Sequence, residues 1–245
     1  MTPLELLALI CVFAIVRAAL SIGPARVPAT AGAGPGARQV IREYLDAFIV
    51  AGLVALFLIT FVVRTFFIPS GSMEPTLQIH DVLLVNEFEY RFAKPKEGDI
   101  VVFPPPILSS NDFIKRTIGL PGDQIRVHDG TVYRNGEPMD EPYIAQKPMY
   151  ELEVRNYGIW VNGEKLDPAT ANVPPKEKWS APDRIPDGCY MMFGDNRNNS
   201  EDSHIWGFAQ PAGTFATGQR QAQNAGFTGH AFLLFWPLNR IRILQ

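Results

Sequence analysis

Cysteine is nearly absent from this chain of 245 residues, which holds only Cys11 and Cys189. Cys11 lies inside an apolar segment near the amino terminus, which argues against a disulfide with Cys189. Cysteine use therefore does not report the redox compartment, and both residues read as small buried hydrophobes. Histidine is scarce as well: His80, His128, His204 and His230 are the full set. The formal net charge is only −3, so no basic field points to nucleic acid. No internal repeat and no long amphipathic helix stands out. After residue 69 the long apolar runs also stop.

Before residue 69 such runs dominate. Ala47 to Val63 carries no charge, with Gly52 and Thr60 as its soft spots. A helix over it would cover about 25 Å of a roughly 30 Å hydrocarbon core. Arg64 can snorkel, and Thr65 to Ile68 can carry the helix into the interface. A transmembrane helix is predicted over 46–68. A first span is predicted within 1–23, although Arg17 interrupts Leu6 to Gly23. A signal peptide is the rival there. Glu5 and the lack of early Lys or Arg oppose it, while Ala29-Thr30-Ala31 resembles a cleavage site. Arg26, Arg38 and Arg42 lie between the two segments, so the positive-inside rule puts the 24–45 loop in the cytoplasm. Residues 69–245 would then be extracytoplasmic, and the phospholipid bilayer a partner.

The later part reads as mostly β. Short β-branched or aromatic runs at 81–86, 99–103, 113–118, 124–127, 131–133, 190–193 and 231–236 are separated by Gly, Pro, Asn and Asp. Asn135-Gly136 and Asn162-Gly163 signal hairpins. A smaller inserted β/coil region is expected around 146–184, in a coiled, Pro-rich stretch.

Ser72 stands in Pro69-Ser70-Gly71-Ser72-Met73-Glu74-Pro75-Thr76-Leu77, a turn directly after the second apolar segment. That placement suggests a nucleophile held at a membrane surface. A serine hydroxyl needs a base, an orienting group and donors for the developing oxyanion. His204 follows Asp202 and could complete a Ser-His-Asp set, but reads better as a polar loop residue. Lysine is the other route, and a lysine base must be desolvated to lose its proton near neutrality. Lys115 lies in Asp112-Phe113-Ile114-Lys115-Arg116-Thr117-Ile118-Gly119-Leu120, whose apolar residues can supply that shell. Alternation groups Lys115 with Phe113 and Thr117, and Arg116 with the isoleucines. By pattern alone such a lysine is more often an exposed strand residue.

The motif around Ser72, Gly98 to Phe103, Ile114 to Asp123, Gly194 to Ser203 and Gly229 to Pro237 occur in one order behind an apolar anchor. In this the chain resembles the bacterial type I signal peptidases, membrane-anchored Ser-Lys proteases, over nearly all of residues 45–245. The resemblance implies a signal-peptidase-type β-sheet catalytic domain behind one or two transmembrane helices, in the bacterial inner membrane. It implies removal of signal peptides from exported preproteins, with cleavage after small residues at −1 and −3. Ser72 would be the nucleophile and Lys115 the base. Ser70 and the Ser72 backbone would bind the oxyanion, and Ser200 would orient the Lys115 amine. Asp195, Arg197 and Asp202 would support the site. Phe66, Ile68, Met73, Leu77, Phe113 and Ile114 are candidates for the substrate pocket, and equally plausible as core. No cofactor or metal is expected, and the chain is expected to act as a monomer. Apolar surface near 66–77 and 232–237 would dip into the membrane interface. Three positions depart from the family pattern: Glu74, His204 and the Gln/Ala/Gly-rich stretch Ala209 to Phe227. Two rival functions remain, a self-cleaving Ser-Lys protease of the stress-response repressor kind and a catalytically silent β-scaffold. The membrane anchors and the lack of a DNA-binding helix pair oppose the first, and the presence of both Ser72 and Lys115 opposes the second.

Overall fold

A computed structural model describes residues 3–21, 37–106, 111–211 and 226–244, with the side chains of 58–61 set aside. Most of the predicted cytoplasmic loop, including Arg26 and Ala29 to Ala31, lies outside the described residues, as does most of the Ala209 to Phe227 stretch. The chain divides into two units, residues 1–64 and 65–245.

The first unit is a pair of helices, α1 (Pro3–Ala19) and α2 (Ala37–Phe61). They run antiparallel: Phe13 meets Phe48 at a ring distance of 5.9 Å, and Ile10 fills the space a Cβ at Gly52 would need. Arg17, the blemish in the first apolar segment, is paired with Asp46 at 2.8 Å. The second helix differs from expectation at both ends. It begins with Arg38, Arg42, Glu43 and Asp46 in its first turns, and it stops at Phe61. Val63 to Phe67 is extended, in keeping with its β-branched and aromatic residues. Among the described residues no helix is long and apolar enough to cross a membrane.

Strand β1 (Val63–Phe67) straddles the boundary, and the second unit is otherwise built on strands β2 (Val82–Asn86), β3 (Ile100–Phe103), β4 (Phe113–Gly119), β5 (Ile125–His128), β6 (Thr131–Arg134), β7 (Glu137–Pro138), β8 (Leu152–Val154), β9 (Ile159–Val161), β10 (Glu164–Lys165), β11 (Met191–Phe193), β12 (Gly229–Trp236) and β13 (Arg242–Ile243). One sheet runs β1-β2-β12-β3-β4-β11, with β13 on β12; the other runs β10-β9-β8-β5-β6-β7. The inserted region is a mixture of strand and coil, as expected: β8, β9 and β10 fall inside 146–184, and most of the rest is turn and coil. The short strands there carry little alternation for a sequence pattern to reveal. Asn135-Gly136 and Asn162-Gly163 are hairpin turns, with positive φ at all four residues as such turns require.

The first sheet is covered on both faces near β3. Ile100 and Val102 join Ile68, Met73, Leu77 and Leu83 on one side. Val101 and Phe103 join Trp206, Met192 and Phe227 on the other. This explains the unbroken apolar run of β3. A third cluster, including Ile118, Phe193, Ile125 and Val127, joins β4 and β11 to the second sheet. At the end of the first sheet where β2 begins, Phe67, Ile79, Trp236, Leu238, Ile241 and Ile243 are exposed.

Candidate active site

Lys115 sits inside β4, paired across the ladder with Val101. From Lys115 to Gly119 every residue of the strand is buried. Alternation could not show which face of such a strand Lys115 takes, because both faces are covered. The Lys115 side chain is buried, and its Nζ donates to Ser72 Oγ at 3.0 Å. The Phe113 ring lies beneath the amine, 5.3 Å from ring centre to Nζ. Burial strips water from the ammonium and pulls its pKa from 10.5 down to about 8, although Asp202, Glu201 and Asp195 pull the other way.

The Ser72 turn is held from behind by the segment after β11. Asn196 Nδ2 donates to the Gly71 carbonyl at 3.0 Å, and the Asn196 N–H donates to the Ser72 carbonyl at 3.1 Å. Asp195 beside it accepts two hydrogen bonds from Arg116, at 2.8 and 2.7 Å, and one from Thr76 Oγ1 at 2.5 Å. The Arg116 guanidinium also donates to the Gly98 carbonyl and lies 3.9 Å from the Tyr143 ring centre. Arg197 is fully buried, donating to both Glu141 oxygens and to the Gly194 carbonyl. Its burial would lower its pKa, but the hydrogen bond and charge of Glu141 outweigh this and hold it above its ordinary value.

Gly194 has no room for a side chain. A Cβ there would collide with the Ser72 carbonyl and with Ser200. Gly194→Ala should therefore cost roughly 1–3 kcal/mol by overpacking, read from the urea midpoint; an unchanged midpoint would contradict that contact. Asp202 accepts the Gly194 N–H at 3.0 Å and caps the short helix α3 (Ser203–Trp206).

The expected site residues divide into groups. Ser70, Ser72, Phe113, Ile114 and Lys115 line one groove of about 350 Å³, together with Gly71, Asn111, Asp112, Asn199 and Glu201. Ile68, Met73 and Leu77 do not: they are buried in the core beneath the first sheet, with Phe66 packed against them. Apolar character could not separate the two places. Ser200 is buried beside the Ser72 carbonyl, but its Oγ has no hydrogen-bond partner. The expected bond from Ser200 to the Lys115 amine is not formed. His204 turns to Asp202 at 2.5 Å and stacks on Tyr150, rather than bonding Ser72. Arg116, Thr76, Asn196 and Glu141 were not foreseen as part of this network. Arg116 carried a faint signal, a second cation in an apolar strand beside Lys115; Thr76 and Asn196 lie inside the motifs that carry the resemblance, and Glu141 lies in none of them.

A neutral amine 3.0 Å from a hydroxyl can accept its proton, and two serines on one turn face the same groove. Residues 41–219 match the family described as signal peptidase, peptidase S26. The chain is 40% identical over 207 residues to the "Probable signal peptidase I-2" of Synechocystis, covering 82% of this chain and 76% of that protein. It is 34% identical over 219 residues to the signal peptidase I of Leptolyngbya laminosa, covering 86% and 87%. A solved signal peptidase I from Enterococcus faecalis matches at 30% identity over 48% of this chain and 91% of that one, with a TM-score of 0.33. The chain belongs to the S26 signal peptidase family, and it is a hydrolase of peptide bonds.

Proposed function

We propose that this protein removes signal peptides from exported preproteins, with Ser72 as nucleophile and Lys115 as general base. The buried Lys115 amine 3.0 Å from Ser72 Oγ is the observation that carries it. Ser72 attacks the scissile carbonyl as Lys115 takes its proton; an acyl-enzyme forms, and the amine of the mature protein leaves with that proton. Lys115 then activates the water that frees Ser72. Ser70 and the Ser72 N–H stabilise the oxyanion. Asp195, Arg197 and Asp202 hold the backbone around the pair. Phe113 and Ile114 form the apolar floor that accepts small residues at −1 and −3. An extended substrate adds beside residues 111–115 as a strand.

This activity is assigned to the membrane surface on the extracytoplasmic side. The uncharged run from Ala47 supports attachment, although its helical part, Ala47 to Phe61, measures about 22 Å. The exposed apolar side chains around Phe67 and Trp236 support lipid contact by the second unit.

The test is cleavage, in detergent, of a preprotein with Ala-x-Ala before its cut site. Wild type and His204→Ala should cut; Ser72→Ala and Lys115→Ala should fall by at least about 10³-fold. Activity that survives Lys115→Ala but is lost in His204→Ala would reject the lysine base.

A further inference from the structure

The groove beside Ser72 is edged by carboxylates. Asp112 and Glu201 both line it, and both are exposed. Glu74 folds its carboxylate over Gly71, to within 3.1–3.2 Å of where a Cβ there would sit. Among the described residues none of the three has an ion-pair partner; Asp112 accepts only the Thr228 hydroxyl, at 2.9 Å. Among the described residues that line the groove the one cation is Lys115, which is buried and gives up its charge to act. A substrate therefore meets an uncompensated negative rim around an apolar floor.

An extended peptide turns alternate side chains to opposite sides. With −1 and −3 on the floor, the side chains at −2 and +1 point away from it, toward the rim. We propose that Glu201 and Asp112 are specificity-determining residues that favour preproteins with Lys or Arg at −2 or +1 and disfavour Asp or Glu there. This rests on the signal-peptide-cleaving activity proposed above and names a substrate class for it. Solvent-facing charge pairs each contribute modestly and are screened by salt, which sets the scale of the effect.

The experiment uses the full chain in detergent at pH 9 and low salt, so that Lys115 is largely neutral. Four matched preproteins carry Lys or Glu at −2 or at +1, and a fifth carries Gln at both positions. Cleavage of the fifth is the control: if it is not cut, the parent activity fails and the charge question does not arise. If it is cut, kcat/KM should favour Lys over Glu at one or both positions by roughly three- to tenfold, falling toward unity in 0.5 M salt. Because the readout is a ratio within each variant, changes in basal rate cancel. The Glu201→Gln/Asp112→Asn double variant should bring the ratio close to one, and Glu201→Lys should reverse it. Equal rates for Lys and Glu in the wild type, or a ratio that persists in the double variant, would overturn the proposal.

Discussion

Lys115→Met should give a protein that is inactive and yet more stable than the wild type at neutral pH. The Lys115 pKa is about 8 in the folded chain against 10.5 for the free side chain. Below about pH 8 both folded and unfolded chains carry the ammonium, and the folded state bears the cost of burying it. Between about 8 and 10.5 the folded chain has lost the proton while the unfolded chain keeps it. The unfolded state then binds more protons, so stability rises with pH across that window. The total rise is on the order of 3 kcal/mol. Methionine fills the site with similar volume and no charge, so the variant should gain about 2–3 kcal/mol at pH 7. Its stability should lack the wild-type rise between pH 8 and 10.5. Urea titrations at pH 7, 9 and 10 measure both. A variant less stable than wild type at pH 7 would mean that the ammonium is well solvated or well paired.

The same protonation sets the rate. Only the neutral amine can take the Ser72 proton, so kcat/KM should climb about tenfold per pH unit up to about pH 8 and then level. A profile flat down to pH 5 would exclude Lys115 as the base.

The parts of this molecule legible in its sequence are those with local causes. The runs at 81–86, 99–103 and 113–118 are strands because β-branched and aromatic residues are bounded there by turn formers, and the two Asn-Gly pairs dictate their own hairpins. Helix α2 was legible in kind but not in extent. The apolar run could not show that its charged approach from Ala37 is helical, or that Val63 to Phe67 leaves the helix for a strand. The site divides in the same way. Ser72 and Lys115 stand out through their motifs, but their meeting depends on β3 and β4 pairing and on the Ser72 turn folding against residues 194–196. No period in the sequence encodes that. Ile68, Met73 and Leu77 look the same as Phe113 and Ile114 by composition, and only the packing sends the first three into the core. The Ser200 hydroxyl shows the converse: its motif position suggested a bond to Lys115, whereas in the fold it is buried with no hydrogen-bond partner.

Asp195→Ala should be among the most damaging single substitutions in the chain. It would leave the Arg116 guanidinium, 1% exposed, without its bidentate partner, and Thr76 without its acceptor. Removing one member of a buried ion pair costs roughly 3–5 kcal/mol, because the remaining charge stays desolvated. Here the loss also reaches the active groove. Asn196, next in the chain, holds both the Gly71 and Ser72 carbonyls, so freeing Asp195 loosens the turn that aims Ser72 at Lys115. Activity should therefore fall even under conditions where the variant stays folded. The double variant Arg116→Met/Asp195→Leu separates the two effects. With both charges replaced by apolar groups of similar size, most of the lost stability should return. The aim of Ser72 should not, because Thr76 and the Gly98 carbonyl still lack their partners. The expected result is thus a double variant with near wild-type urea midpoint and kcat still at least about tenfold down. If kcat recovers together with stability, the Arg116–Asp195 pair holds up the fold alone and has no part in placing the serine.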